Sequence, residues 1–202
     1  MLTLYDYLPS GNGYKVRLLL RLLQRPYTLI EKDILKGETR TPEFLQLNPN
    51  GRVPVLVLDD GTPLAESNAI LWYLAEGTPY LPEDRLERAQ VLQWMFFEQY
   101  SHEPNIATTR FWLKHPELLD DARRAQLPAK RKQGYAALDV MERRLAGEPY
   151  LVGGRLSIAD IALYGYTHVA EEGEFDLAAY PAVRAWLERV RDRPDYRSIT
   201  EP

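Results

Sequence analysis

The 202-residue sequence contains no cysteine. Disulfide bonds, thiolate metal sites and a catalytic thiol carried by the protein itself are therefore excluded. Histidine is also scarce: the chain has three, His102, His115 and His168, and their spacing is not that of metal ligands. We therefore expect no metal centre, and any sulfur chemistry has to use sulfur that a bound molecule supplies.

The sequence also lacks a surplus of positive charge and a long apolar run. Lys and Arg number 25, Asp and Glu number 29, and the net charge is −4. Nucleic-acid-binding proteins normally carry basic residues that neutralise phosphates, so that class is disfavoured. No run approaches the roughly 18 apolar residues of a membrane span, and the N-terminus does not have the pattern of a signal peptide. We expect a cytoplasmic protein that binds neither nucleic acid nor membrane.

The first third of the sequence alternates between strand and helix patterns. Residues 2–7 and 27–32 are rich in apolar, aromatic and β-branched side chains, and residues 14–23 carry valine and leucine at helical spacing. A strand, a helix and a strand within about 30 residues indicate a parallel βαβ unit. A short helix, a hairpin and a further helix follow. The predicted order of elements to residue 77 is βαβαββα.

Strand patterns then disappear and long helical patterns follow. One runs from Leu86 to about Lys114, with a kink expected at Pro104, and another runs from about Leu118 to Leu145. Ser157-Ile158-Ala159-Asp160 has the form of a capping box, and a last helix begins at Pro181. The predicted organisation is an α/β domain, a linker and an all-helical domain, with the boundaries 1–77, 78–85 and 86–202.

Three segments are expected to lie where ligands of such α/β domains bind, at the carboxyl ends of parallel strands. The first is the turn 9–13, which offers donors from Ser10 and Asn12 beside a helix N-terminus. The second is the stretch 52–54 before the third strand. The third is Glu66-Ser67 at a helix start, where a carboxylate and a hydroxyl could bind an ammonium and a carboxylate group. Turn, edge-strand and capping roles for the same residues stay open.

Taken together, these segments resemble the cytosolic glutathione transferase superfamily, and the Ser-x-Asn-Gly loop is similar to bacterial theta-, beta- and nu-like members. The resemblance implies a thioredoxin-like domain that binds glutathione, followed by a helical domain that supplies the second-substrate pocket. It extends over essentially the whole chain, in five stretches that occur in family order: 10–17, 41–44, 48–56, 66–70 and 157–160.

The resemblance also implies roles for individual residues. Ser10 and Asn12 would stabilise the thiolate of glutathione, with Tyr7 as the alternative to Ser10. The other glutathione contacts would come from Lys36, Arg40, Val53, a cis Pro54, Glu66 and Ser67. The second-substrate pocket would include Leu8, Phe111 and Trp112.

The implied activity is that of a homodimeric, metal-free glutathione transferase in detoxification, in which the glutathione thiolate attacks a small hydrophobic electrophile. A free thiol has a pKa of about 8.5, so only a few per cent is thiolate at neutral pH. Lowering this pKa by about two units requires about 2.7 kcal/mol of preferential thiolate stabilisation. Two alternatives remain: a nu-like glutathione-dependent disulfide-bond reductase, and a binding module of the same fold without turnover.

Overall fold

The computed structural model describes residues 1–201, which divide into two units. One unit comprises Met1–Thr78 together with the residues from Arg193 onward, and the other comprises Pro79–Asp192. The sequence grouped the whole of 86–202 together, because no local pattern in the C-terminal residues marks their return to the first unit.

The first unit is a four-stranded sheet with three helices, and it has the predicted order βαβαββα. The sheet order is β2-β1-β3-β4; β1 and β2 are parallel and the other neighbours are antiparallel. The thioredoxin-like class is confirmed. The elements are β1 (Leu2–Asp6), α1 (Gly11–Leu22), β2 (Tyr27–Glu31), α2 (Pro42–Leu47), β3 (Val55–Val57), β4 (Pro63–Ala65) and α3 (Ser67–Ala75).

The start of α1 differs from the prediction. The run 9–13 reads as a turn, yet the helix begins at Gly11, with Ser10 as the N-cap whose Oγ accepts a hydrogen bond from the Gly13 N–H at 3.4 Å. Gly13 is required there because a Cβ on it would lie only 1.5 Å from Oδ1 of Asp6. Gly13 therefore allows the start of α1 to pack closely against β1.

A buried ion pair attaches the C-terminal residues to this unit. Arg17 is almost fully buried, and its Nε donates to Oδ2 of Asp6 at 2.8 Å. Its Nη groups donate to the carbonyl oxygens of Leu8, Ile199 and Glu201. One guanidinium thus connects β1, the segment after it and the C-terminal backbone.

The pH dependence of stability should report on Asp6. Burial raises its pKa to about 6, against the opposing effects of Arg17 and the Tyr7 N–H. Because this pKa exceeds the ordinary value of 3.8, the carboxyl contributes stability at low pH that is lost as pH rises to 6. We expect the unfolding free energy of the wild type minus that of Asp6→Asn to increase by about 2 kcal/mol between about pH 7.5 and about pH 4.5.

Urea denaturation of both proteins at the two pH values measures this difference, and all other titrating groups cancel in the subtraction. A difference that stays constant, or that shrinks at acidic pH, would contradict a raised pKa.

The second unit is all-helical, as predicted. No helix within residues 1–201 is long and apolar enough to cross a membrane. The helices are α4 (Arg85–Phe97), α5 (Glu103–Lys114), α6 (Asp121–Arg124), α7 (Leu127–Leu145), α8 (Ile158–Thr167) and α9 (Pro181–Arg191), with short 3-10 turns at Pro116–Leu118 and Ala170–Gly173.

Two prolines shape these helices. A π-helical turn, Glu98–His102, joins α4 to α5, and Pro104, where the sequence predicted a kink, is the second residue of α5. Proline lacks an N–H and crowds the carbonyl of the preceding turn, and a wider turn relieves that contact. The helix predicted from about Leu118 is shorter than expected: α7 begins at Leu127 with Pro128 in its first turn, a position that needs no N–H.

The predicted capping box at the start of α8 is present, and Asp160 also accepts hydrogen bonds from residues outside the box. Oδ2 of Asp160 accepts hydrogen bonds from the N–H and the Oγ of Ser157, each at 2.9 Å. Oδ1 accepts from the Leu151 N–H at 2.9 Å and from Trp186 Nε1 at 3.0 Å. One buried carboxylate therefore links α8, the segment before it and α9.

Candidate functional site

The N-terminus of α1 carries Ser10 and Asn12 in the setting that favours an anion. Ser10 is half-buried, and its N–H donates to the Tyr7 carbonyl at 2.7 Å. No acidic side chain lies in the first turn of α1. The partial positive charge of the helix end is therefore not opposed by the helix's own side chains. Ser10 and Tyr7 lie in one short segment, so the geometry leaves open which hydroxyl would face a ligand.

The structure joins Asn12 to Ser67 and adds a residue that the sequence did not assign, Lys15. Lys15 Nζ lies 2.8 Å from Oδ1 of Asn12 and 3.5 Å from Oγ of Ser67. The Ser67 Oγ donates to the same Asn12 oxygen at 3.3 Å. Lys15 has no exposed surface. We call these three residues the Asn12–Lys15–Ser67 cluster.

The burial of Lys15 could not be read from the sequence. It lies outside the apolar stripe of α1, where a lysine ordinarily faces water. The cluster requires α1 and α3 to pack against each other, which no local pattern reveals. The one available signal is its spacing of three residues from Asn12, which places both on one face of a helix.

Glu66, directly before this cluster, has a strained backbone. It is the N-cap of α3 with φ of 70° and ψ of 113°, and its side chain makes no capping hydrogen bond. A non-glycine residue with positive φ is uncommon and costs energy. The Glu66 side chain is exposed and the adjacent Ser67 is buried.

The peptide bond between Val53 and Pro54 is cis, as the resemblance implied. Asn48 shapes the turn before it: its Nδ2 donates to the Arg52 carbonyl at 2.8 Å, and its Oδ1 accepts from the Asn50 N–H at 3.0 Å. Pro54 is buried and Val53 is half-buried at the entry to β3.

Lys36 and Arg40 are exposed, and each contacts another part of the first unit. Lys36 Nζ pairs with Oδ2 of Asp33 at 3.0 Å, and hydrogen bonding to this carboxylate raises the pKa of Lys36. Arg40 Nη1 donates to the Asn50 carbonyl at 2.9 Å. These contacts do not involve the Asn12–Lys15–Ser67 cluster, and a role for either cation in binding a carboxylate stays a prediction.

The residues expected for the second substrate lie in different units. Leu8 is in the first unit, where its carbonyl accepts from Arg17. Phe111 and Trp112 are on α5 in the second unit, and Lys130 Nζ lies 5.4 Å from the centre of the Trp112 ring. The role of these three residues also stays a prediction.

The candidate site does not coincide with an open pocket of about 540 Å³ in the first unit. That pocket is lined by the C-terminal end of α1, the start of β2, Asp195 and Arg197, and contains none of the expected site residues. Among residues 1–201, no group of three or more His, Asp or Glu side chains is placed to hold a metal ion. The candidate site is therefore located by the expected site residues and not by this cavity.

Comparison with known proteins covers both units. The family model described as glutathione S-transferase, N-terminal domain, matches residues 9–76. The model described as glutathione S-transferase, C-terminal domain, matches residues 95–194. Together they include every expected site residue except Tyr7 and Leu8.

Individual relatives agree with these models. A crystal structure of a glutathione S-transferase from Pseudomonas fluorescens Pf-5 has a TM-score of 0.95, with 53% identity over 99% of both chains. The disulfide-bond oxidoreductase YfcG of Escherichia coli K12 is 38% identical over 203 residues, covering 96% of this chain and 92% of that protein. The glutathione transferase URE2P8 of Phanerochaete chrysosporium, solved with oxidized glutathione, has a TM-score of 0.86 and 27% identity, covering 96% and 90% of the two chains.

Proposed function

The chain belongs to the glutathione S-transferase family, and from this premise we propose that its first unit binds glutathione and lowers the pKa of the bound thiol. The observation that carries the proposal is the hydrogen bond between Asn12 and Ser67 at 3.3 Å. The resemblance assigns Asn12 to the sulfur of glutathione and Ser67 to its γ-glutamyl end. These residues are 55 positions apart in the chain, so their contact is a property of the fold.

The remaining contacts follow from the chemistry of the tripeptide. The γ-glutamyl carboxylate would bind the Ser67 hydroxyl and the N-terminus of α3, where unpaired N–H groups favour an anion. The γ-glutamyl ammonium would pair with the exposed carboxylate of Glu66. The cysteinyl backbone would pair with Val53 ahead of Pro54, and Lys36 or Arg40 would bind the glycyl carboxylate.

The reaction we propose is attack by the glutathione thiolate on a small hydrophobic electrophile, with a leaving group expelled as the carbon–sulfur bond forms. A second candidate is attack on a disulfide, in which a mixed disulfide forms and a thiolate leaves. The 38% identical disulfide-bond oxidoreductase favours this second candidate. Because the chain has no cysteine, both reactions depend on glutathione sulfur.

Two measurements test this function. Isothermal titration calorimetry with glutathione tests binding, and the absence of a binding signal at millimolar ligand would defeat the proposal, including its form as a non-catalytic module. Turnover with an aromatic halide and with a small organic disulfide then separates the two reactions. A dominant disulfide rate would replace the transferase assignment with the reductase, whereas binding without either turnover would favour the non-catalytic module.

Substitution of Ser10 by alanine tests the activating residue. We expect the pKa of the bound glutathione thiol to rise by about one unit and the unfolding free energy to fall by about 1 kcal/mol, because a charge-assisted hydrogen bond and a helix cap are both lost. Ultraviolet absorbance of the thiolate as a function of pH gives the thiol pKa.

The matched control is Thr41→Ala, which removes the cap of α2, a hydrogen bond of 3.3 Å to the Phe44 N–H, without touching the site. It should destabilise the protein to a similar extent and leave the thiol pKa unchanged. If Ser10→Ala behaves like this control while Tyr7→Phe raises the thiol pKa, Tyr7 is the activating residue.

We also propose that the chain forms a homodimer through a surface that includes the outer face of α4. Leu86 and Phe96 on α4 and Tyr100 just beyond it are 66%, 70% and 87% exposed. Large apolar side chains grouped on one surface favour association. We expect Phe96→Asp to shift the protein to monomer in analytical ultracentrifugation, whereas the equally charged change Gln133→Asp, at an exposed position of α7 away from this surface, retains the dimer. A monomeric wild type at micromolar concentration would contradict this assignment.

A further inference from the structure

Lys15 is a buried cation at the site for which family resemblance gives no role. An ammonium group without access to water is costly unless polar groups surround it. In this protein the Asn12 Oδ1 at 2.8 Å and the Ser67 Oγ at 3.5 Å are among its partners. Both partners are residues that we propose to contact glutathione. The position of Lys15 is therefore tied to the site and not to the outer surface of α1.

The contacts of Lys15 determine which end of the Asn12 amide faces inward. Oδ1 of Asn12 accepts from Lys15 Nζ and from the Ser67 hydroxyl. An ammonium group only donates hydrogen bonds, so the reverse orientation would place the Asn12 N–H₂ against a group that cannot accept. The amide has its two N–H donors at the opposite end from Oδ1. A thiolate can accept hydrogen bonds from that end alone.

We propose that Lys15 is a positioning residue that orients the Asn12 amide so that Nδ2 donates to the sulfur of bound glutathione. This inference rests on the proposed function. It identifies Lys15 as the residue that turns the N–H₂ end of Asn12 toward the sulfur. Before glutathione binds, the Ser67 hydroxyl donates a second hydrogen bond to Oδ1. Once that hydroxyl donates instead to the γ-glutamyl carboxylate, the Lys15 ammonium holds Oδ1 alone. The γ-glutamyl end and the thiol end of the site are thereby connected through one buried ammonium group.

Replacing Lys15 by methionine removes the ammonium and keeps the length of the side chain. We expect the pKa of the bound glutathione thiol to rise by about one unit, a tenfold decrease in the ratio of thiolate to thiol. Lys15→Arg retains a donor and the charge, so it should keep the pKa of the bound thiol close to the wild-type value. Binding of S-methylglutathione, which has no thiol, should change by less than about threefold, since its sulfur needs no donor. An unchanged thiol pKa in Lys15→Met would overturn the proposal.

A double substitution separates orientation from the electrostatic field of the ammonium. In an Asn12→Ala background there is no amide to orient, so adding Lys15→Met should leave the thiol pKa where Asn12→Ala put it. If the second substitution raises the thiol pKa by the same amount as in the wild type, Lys15 acts by charge alone and the proposal is wrong.

Asn12→Asp tests the orientation without altering Lys15. It keeps an oxygen toward Lys15 and Ser67 and replaces the N–H₂ by a second oxygen. We expect its melting temperature to be at least that of Asn12→Ala, and its bound thiol pKa to exceed that of the wild type. A lower melting temperature than Asn12→Ala would show that the side chain at position 12 does not contact the ammonium, and would overturn the proposal. This stability comparison requires no ligand, so it remains decisive even if calorimetry shows that the wild type does not bind glutathione.

Discussion

Asp160→Asn is expected to lower the free energy of unfolding by about 1–3 kcal/mol, the cost of leaving a buried hydrogen-bond donor without an acceptor. The wild-type carboxylate accepts four hydrogen bonds, two at each oxygen. An asparagine has one oxygen, so in either orientation its N–H₂ group faces donors. It meets the Leu151 N–H and Trp186 Nε1 in one orientation, and the Ser157 N–H in the other.

Urea denaturation at neutral pH measures the loss, and the NMR resonance of the Trp186 indole N–H reports whether its hydrogen bond has changed. The matched control is Asp120→Asn at the N-cap of α6, where an exposed carboxylate accepts from the Arg123 N–H at 2.8 Å. Asparagine is as good an N-cap as aspartate, so the control should cost less than about 0.5 kcal/mol. If Asp160→Asn lowers the free energy of unfolding as little as the control does, then Asp160 does not accept hydrogen bonds from four buried donors.

Asp160 also illustrates which part of a site can be read from sequence. The bonds from Ser157 span three residues, and the pattern Ser-x-x-Asp predicted them. The bonds from Leu151 and Trp186 span 9 and 26 residues and depend on how the segment before α8 and α9 pack. Local capping chemistry is therefore predictable, whereas the long-range donors that make the same carboxylate essential are not.

The same division applies to the candidate site. The order of elements follows from periodicity, and the cis bond before Pro54 was expected only through family resemblance. The inward positions of Lys15 and Arg17 were not predictable, because each has partners on segments far away in sequence. The first turn of α1 was missed for a different reason: glycine and asparagine favour turns, and their helical conformation depends on the Ser10 cap and on contact with Asp6.

Replacing Glu66 by glycine should separate binding from stability. The positive φ of Glu66 carries a cost of about 1–3 kcal/mol for a residue with a side chain, and no capping hydrogen bond of its side chain offsets that cost. Glycine adopts this conformation without strain but loses about 0.5–1 kcal/mol of backbone entropy. We therefore expect the free energy of unfolding to stay the same or to rise by about 1 kcal/mol.

Glutathione affinity should fall by about 10- to 100-fold in the same variant, because a hydrogen bond to a charged group contributes about 1.5–3 kcal/mol. Isothermal titration calorimetry measures this loss. Glu66→Gln retains the strained backbone without the charge, so it should lose affinity without gaining stability. Gln24→Gly, at another exposed position with positive φ, should relieve backbone strain without altering affinity.

A glutathione analogue without the γ-glutamyl amino group identifies the partner of Glu66. If the carboxylate binds that ammonium, the analogue should bind wild type and Glu66→Gly with the same affinity, since the contact is already absent. If Glu66→Gly weakens the analogue as much as glutathione, the strained backbone itself positions Ser67 and the N-terminus of α3 for the carboxylate. The strain at Glu66 would then serve anion binding, and the ammonium would require a different acidic partner.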